Sequence, residues 1–181
     1  YKIRDGAVKV LLPFSFPLTL GTDLAADVQA IGPGVTGFEP GDAVYSRLDN
    51  DRIGAFAEYA LVRESAAARK PASLDYVQAA ALPLVGLTAW QTLIDLARLQ
   101  SGQKVLIHAG SGGVGTFAIQ LAKHLGAQVA TTASAMNHPL MKSLGADVAI
   151  DYKTTRFEEV ARNQDVVLDT QAGDTLLRSF E

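Results

Sequence analysis

Cysteine is absent from these 181 residues. That excludes disulfides, thiolate catalysis and any cysteine-ligated zinc, and it leaves redox chemistry silent on compartment. No apolar run reaches membrane-spanning length, about 20 residues. Tyr1-Lys2-Ile3-Arg4-Asp5 lacks the pattern of a signal peptide, so a cytoplasmic protein with no membrane partner is expected. An excess of charge is missing too. The 16 Lys and Arg against 19 Asp and Glu give a net charge of −3, which points to no nucleic acid or other polyanion. The rest, 48% apolar and 19% charged, suits a globular core in one large or two small domains.

The most informative stretch is Lys104 to Ala127. Val105, Leu106 and Ile107 form a short apolar run, the mark of a buried strand. Ala109-Gly110-Ser111-Gly112-Gly113-Val114-Gly115 breaks it. Behind the break, Val114, Phe117, Ala118, Leu121, Ala122 and Leu125 fall on one face of a helix. Lys123 and His124 suit the negative end of its dipole, and Gly126 can cap it. Strand, glycine loop and helix give Gly110-x-Gly112-x-x-Gly115 the setting in which it binds a dinucleotide. One glycine permits the tight turn, one lets backbone approach a pyrophosphate, and one lets helix pack on strand. Free N–H groups at the helix start then face the phosphates. The alternative is a tight turn with no ligand.

Residues 1 to about 70 read as β-rich. Gly32-Pro33-Gly34 and Pro40-Gly41-Asp42 are turn signals, with strands expected at Asp27–Ile31, Ala43–Tyr45 and Ala55–Val62, as in a small barrel or sandwich. The texture changes near Pro71. Ser73–Leu82 is helix-prone, Pro83 ends it or opens the next helix, and that helix runs from Leu84 to Leu99 with Leu87, Trp90, Leu93, Ile94 and Ala97 at helical spacing. Trp90 reads as a core residue. After Gly126 come strand Val129–Thr132, helix Asn137–Leu144 stopped by Gly145, strand Val148–Ile150, helix Phe157–Arg162, strand Asp165–Leu168, and a helix from Thr175 inside which the chain stops. Strands alternating with helices predict a doubly wound parallel sheet of the α/β class. Four strands are found where a full dinucleotide fold has six. The domains expected are 1–72, β-rich, and 73–181, dinucleotide-binding.

An Asp or Glu about 20 residues past the glycine loop usually takes the ribose 2′-OH of NAD. Here Thr132-Ala133-Ser134-Ala135-Met136-Asn137 contains no acid. A carboxylate repels a 2′-phosphate, whereas hydroxyl and amide groups can bond one, so NADP(H) is expected over NAD. Ser134 and Asn137 can equally cap a helix. Tyr152 either closes over the adenosine phosphate or packs, and Lys142 reads as a solvated charge on a helix face.

Four stretches together carry a resemblance: Ala109–Gly115 (AGSGGVG), Ala79–Trp90 (AAALPLVGLTAW), Gly54–Tyr59 (GAFAEY) and Thr131–Tyr152, which holds Ser134, Asn137 and GADVAIDY. The chain resembles the zinc-free medium-chain dehydrogenase/reductases, nearest the quinone oxidoreductase branch. The resemblance implies a GroES-like β-rich domain and a doubly wound parallel Rossmann sheet, both incomplete here, with a cleft between them. It implies hydride transfer from NADPH to the β-carbon of a quinone or other α,β-unsaturated carbonyl, and a homodimer. By position, Thr88 lies near the nicotinamide. Gly112, Gly113 and Val114 hold the pyrophosphate within the loop Ala109, Gly110, Ser111 and Gly115 complete, and Ser134, Asn137 and Tyr152 serve the 2′-phosphate. Tyr45 either lines the substrate cleft or packs in the barrel. Where zinc-dependent relatives carry Gly-His-Glu, this chain has Gly21-Thr22-Asp23, so no metal is expected and no general acid is assigned. The second readings are a non-catalytic nucleotide-binding protein and an enoyl-thioester reductase. Departures from the family pattern are Ala26-Asp27 in a barrel strand, Thr170-Gln171-Ala172-Gly173 after the fourth sheet strand, and a start at Tyr1, beyond the segment that usually holds an active-site Asn.

Overall fold

A computed structural model describes residues 14–180. The readings made on Tyr1–Asp5 and on the first residues of the β-rich domain lie outside the described residues. Contacts within the chain divide it into two units, Tyr1–Leu84 and Val85–Glu181. Residues 73–84, grouped by composition with the second domain, have their contacts in the first.

In the first unit, β1 (Asp23–Asp27), β2 (Ala43–Arg47) and β3 (Ala67–Arg69) form an antiparallel sheet in the order β1-β2-β3. The period-2 pattern of β2 decides its faces: Val44 and Ser46 are buried while Tyr45 and Arg47 are half-buried. Ser46 is buried without penalty because its hydroxyl donates to the Ala66 carbonyl at 2.8 Å. Gly41, at φ +95°, closes the return from β1 to β2, with Val28 and Asp42 bonded at 2.9 Å.

Two strand expectations are corrected. The strand expected at 27–31 lies at 23–27, because the ladder ends where Val28 bonds to Asp42 and Gly41. The stretch 55–62 is not a strand. Phe56, Tyr59 and Leu61 are each more than 70% exposed. Backbone bonds to Leu20 and Gly21 stop at Phe56. Alternation makes a strand only where a neighbour supplies donors and acceptors, and among the described residues 57–62 has none. Helix α1 (Tyr76–Ala80) starts on a capping box, in which Asp75 accepts from the Gln78 N–H at 2.7 Å and Gln78 accepts from the Asp75 N–H at 3.1 Å.

The second unit holds β4 (Lys104–Ile107), β5 (Gln128–Ala133), β6 (Val148–Asp151) and β7 (Val166–Leu168), all parallel, in the order β6-β5-β4-β7. The four expected strands are present. Val105 and Ile107 point into the larger core with Ala118, Ile119, Ala122, Val129 and Met141. Leu106 points the other way, to Ala130, Ile150 and Phe157. A sheet covered on both faces needs apolar residues at consecutive positions, which explains the unbroken Val-Leu-Ile run.

Helix α3 (Gly113–His124) buries Gly115, Ala118, Ile119 and Ala122, with Val114, Phe117 and Leu121 at the margins of its stripe. Ile119 joins the expected face because the residues at its centre are small. Helix α2 (Pro83–Trp90) opens on Pro83 and runs into a π-helical segment, Gln91–Leu96. There the Ala97 N–H reaches back five residues to Thr92, whose hydroxyl bonds the carbonyls of Thr88 and Ala89. Trp90 is 51% exposed, contrary to its reading as core, because the buried stripe runs through Ala89 and Leu93. Three short helices follow: α4 (His138–Ser143), α5 (Phe157–Val160) and α6 (Gly173–Arg178). The last closes at Arg178, where the Ser179 N–H bonds back to Thr175 and Leu176, rather than continuing to the end of the chain.

Candidate cofactor site

The order β6-β5-β4-β7 reverses direction at β4, the first of these strands in the chain. Such a switch point opens a crevice at the carboxyl ends of the strands. The segments that emerge there are His108–Gly112 after β4, Ser134–Asn137 after β5 and Asp169–Ala172 after β7.

The loop after β4 is shaped by its contacts. The expectation that a glycine makes the tight turn is corrected: the left-handed residue is Ala109, at φ +52°, and none of Gly110, Gly112, Gly113 and Gly115 has a positive φ. Those glycines serve close packing. A Cβ on Gly110 would lie 2.0 Å from Thr131 Oγ1 and 2.9 Å from Met141 Sδ, so β5 and α4 press directly on the turn. A Cβ on Gly115 would lie 2.4 Å from the Ala109 carbonyl oxygen and 2.6 Å from Gly110 Cα. On Gly113 it would meet Val85 at 2.9 Å, whereas on Gly112 the nearest atom is the Ala109 oxygen at 3.3 Å.

The backbone at the tip of α3 is left open. The Gly112 N–H bonds the Ala109 carbonyl and the Thr116 N–H bonds the Gly112 carbonyl, both at 2.9 Å. Among the described residues, the N–H groups of Ser111, Gly113, Val114 and Gly115 have no protein acceptor. No side chain caps this 12-residue helix, and no acid stands in its first turn. Ser111, Gly112 and Gly113 are exposed. Unpaired donors at the positive end of a helix dipole fit an anionic diphosphate.

After β5, Ser134 and Asn137 come together, the Asn137 amide donating to Ser134 Oγ at 3.2 Å. Neither side chain caps a helix, so that alternative is not what the fold uses. Tyr152 stands one residue past the register pair Ala133↔Asp151, at the end of the neighbouring strand, and is 59% exposed. The adjacent Asp151 carboxylate accepts from the Lys153 N–H at 3.1 Å. Lys142 is not simply solvated, since its ammonium donates to the Asp147 carbonyl beyond the far end of α4. Thr88 lies half-buried in α2 of the second unit. Tyr45 belongs to the first, half-buried in β2 between Ala25 and Ala68 on the flanking strands.

Several residues escaped the sequence reading. His108, 1% exposed, follows β4 directly and bonds Thr132 and Ser179. Burial pushes its imidazole below the usual histidine range; Asp169 pulls the other way and Arg178 adds to the lowering. Asp169 accepts from the backbone N–H groups of Gln171 and Ala172, and Ala172 adopts φ +59°, ψ −164°, a region in which glycine is at home. The available signals were a polar residue trapped between an apolar strand and a glycine loop, and an alanine where glycine is commoner.

The described residues do not offer a fitting set of zinc ligands. The chain has no cysteine, position 22 is threonine, and the Asp23 carboxylate accepts from the Thr22 hydroxyl and the Leu84 N–H at 2.8 and 2.6 Å. Among the described residues no group of three His, Cys, Asp or Glu side chains could hold a metal. Nor, among them, is any helix long and apolar enough to cross a membrane.

Both units resemble known proteins. Residues 1–72 match the alcohol dehydrogenase GroES-like domain, and residues 113–181 match the family described as zinc-binding dehydrogenase. The chloroplast envelope quinone oxidoreductase homolog of Arabidopsis thaliana is 42% identical over 159 residues, covering 85% of this chain and 48% of its own length. The quinone oxidoreductase of Coxiella burnetii superposes with a TM-score of 0.92 at 39% identity, over 99% of this chain and 57% of that one. The Escherichia coli quinone oxidoreductase complexed with NADPH gives 0.87 at 31% identity, over 99% and 57%. The chain thus spans about half the length of the relatives it matches. With both domain types in order, a parallel sheet carrying an open glycine loop and these neighbours, the chain belongs to the quinone-oxidoreductase-like medium-chain dehydrogenase/reductases.

Proposed function

We propose that this chain carries the cofactor site of an oxidoreductase that uses NADPH to reduce a quinone or another α,β-unsaturated carbonyl. The observation that carries the reading is the open tip of α3, where the amides of Ser111, Gly113, Val114 and Gly115 lack acceptors among the described residues and no acid stands in the first turn to oppose an anion. In this reading Gly112, Gly113 and Val114 hold the pyrophosphate: the N–H groups of Gly113 and Val114, with those of Ser111 and Gly115, are the donors, while Gly112, its own N–H bonded to the Ala109 carbonyl, brings the bare backbone close. Ala109 and Gly110 set the turn. Ser134, Asn137 and Tyr152 donate to the 2′-phosphate. Thr88 lies by the nicotinamide, and Tyr45 contributes to the substrate cleft.

Held by these residues, a nicotinamide would supply hydride chemistry toward the β-carbon of an acceptor. The chain orients that exchange and stabilises charge developing on the carbonyl oxygen, and solvent supplies the proton. The quinone oxidoreductases among the relatives support a small-molecule substrate, and the NADPH-bound Escherichia coli neighbour supports the choice of cofactor. A hydrogen bond to a charged group contributes about 1.5–3 kcal/mol, so NADPH should bind at least about tenfold more tightly than NADH.

Fluorescence titration with both dinucleotides, followed by NADPH oxidation against quinones, enones and enoyl thioesters, tests the reading. Equal affinity removes the roles of Ser134 and Asn137. Binding without turnover of any acceptor indicates a non-catalytic nucleotide-binding protein. Preference for enoyl thioesters moves the substrate class.

A further inference from the structure

Among the described residues, His108 is the one buried titratable side chain at the cofactor site to which the proposed reaction gives no part. Its Nδ1 lies 3.1 Å from Thr132 Oγ1 and its Nε2 lies 3.1 Å from Ser179 Oγ. Neighbouring bonds fix where the proton sits. Ser179 has a single hydroxyl proton, and it goes to the Thr175 carbonyl at 2.7 Å. Its oxygen can therefore only accept from His108, which places the imidazole proton on Nε2. Nδ1 is then an acceptor, and the Thr132 hydroxyl donates to it. With its proton so directed, Thr132 Oγ1 accepts from the Ala109 N–H, at 3.1 Å. The result is one directional chain of bonds from Ala109 through Thr132, His108 and Ser179 to Thr175.

The environment favours this neutral form. His108 is 1% exposed, and Phe157 of α5 packs edge-on with ring centroids 4.5 Å apart. The charged groups that face it are Asp169 beyond β7 and Arg178 of α6, the latter bonded to Glu158 of α5 at 2.6 Å. Ala109 meanwhile needs holding. A left-handed conformation costs a non-glycine residue about 1–2 kcal/mol. Thr132 supplies the restraint twice, through its hydroxyl to Ala109 and through its carbonyl to the Gly110 N–H at 2.9 Å. Ala109 in turn accepts from Gly112 and lies under Gly115, so its conformation sets the loop from which the open amides project.

We propose that His108 is the positioning residue of the cofactor loop: carrying its proton on Nε2, it directs the Thr132 hydroxyl so that Thr132 locks Ala109 in the left-handed turn that presents the α3 amides to the dinucleotide. This role rests on the reading of that loop as the dinucleotide site.

The test titrates NADPH into the chain and its variants, scaled to the folded fraction, and reads the imidazole 15N signals of the unsubstituted protein. Thr132→Val keeps the shape and removes the hydroxyl, and His108→Phe keeps a ring and removes both nitrogens. Each should weaken NADPH about tenfold. Thr132→Ser restores the hydroxyl and should stay within about twofold. The 15N signals should show the proton on Nε2. Unchanged affinity in Thr132→Val, no rescue by serine, or a proton on Nδ1 overturns the role. If His108→Phe does not fold, the threonine pair and the 15N signals decide. An unsubstituted chain that binds neither NADPH nor NADH overturns the loop reading itself, and the role with it. Full binding with indifferent variants overturns the role alone.

Discussion

Gly115 points its absent side chain at the Ala109 carbonyl: a Cβ there would stand 2.4 Å from that oxygen. The first turn of α3 and the strained residue of the preceding loop are thus in direct backbone contact, and that contact fixes how far the helix tip stands from the end of β4.

Gly115→Ala should therefore act on loop and stability together. Neither partner atom is a flexible side chain, so the added methyl displaces helix from loop. Overpacking of this kind costs about 1–3 kcal/mol, and for a chain of this size 1 kcal/mol is about 2–4 °C of Tm. Thermal melting should show that loss, and titration should show NADPH affinity falling by at least about tenfold. Unchanged affinity in a folded variant would separate this contact from the cofactor site.

Ser134→Asp tests the cofactor choice. A carboxylate at the end of β5 repels a 2′-phosphate and can accept from a ribose 2′-OH. NADPH affinity should drop by about tenfold or more while NADH affinity holds or rises. Parallel loss for both dinucleotides would mean that the substitution merely disturbs the Ser134–Asn137 pair.

Ala172→Gly should stabilise. At φ +59° and ψ −164°, alanine occupies backbone space that costs a side-chain-bearing residue about 1–3 kcal/mol. Glycine relieves the strain but gains freedom in the unfolded chain, so the net gain is about 1 kcal/mol. Melting should move up by about 2–4 °C. A lower Tm would show that neighbours hold alanine there without strain.

Acid stability should report on Glu158. The Arg178 guanidinium, bonded at 2.6 Å, is the main cause holding its carboxyl at about 2, with Arg156 assisting. A carboxyl depressed in the fold contributes stability above its unfolded pKa, about 4.3, and that contribution is lost as pH falls toward 2. Glu158→Gln should be less stable than the unsubstituted chain at pH 7, and the gap should close between about pH 4.3 and 2. His108 acts in a separate window. Its lowered pKa means that the unfolded chain takes the proton first, so stability declines as pH drops below about 6.5 in both proteins. Urea denaturation across this range checks both, and a constant gap would remove Glu158 from the acid limb.

Much of the second unit was legible because its cues are local. An unbroken Val-Leu-Ile run, a glycine cluster and a stripe from Val114 to Leu125 can each be read within a dozen residues. Together they define a strand, a turn and a helix whose tip has nothing to bond. The first unit was less legible because its strands depend on partners distant in the chain. Ala55–Val62 alternates as a strand should, yet among the described residues it meets no ladder beyond Phe56, whereas the unpatterned Ala67–Arg69 pairs with β2. Asp27, unexpected in a β-strand, becomes intelligible through the fold, since the Tyr76 hydroxyl donates to it from α1.

By itself, the sequence determined the parallel α/β class, the glycine loop at the start of α3 and the missing acid after β5, because periodicity, glycine spacing and charge are properties of the chain. Only the tertiary structure decided that Ala109 rather than a glycine takes the left-handed turn, that Trp90 leaves the core, and that His108, Thr132 and Ser179 join in one line of bonds. Each of these depends on atoms supplied by other strands and helices, and no local pattern can specify what will stand opposite once the sheet has closed.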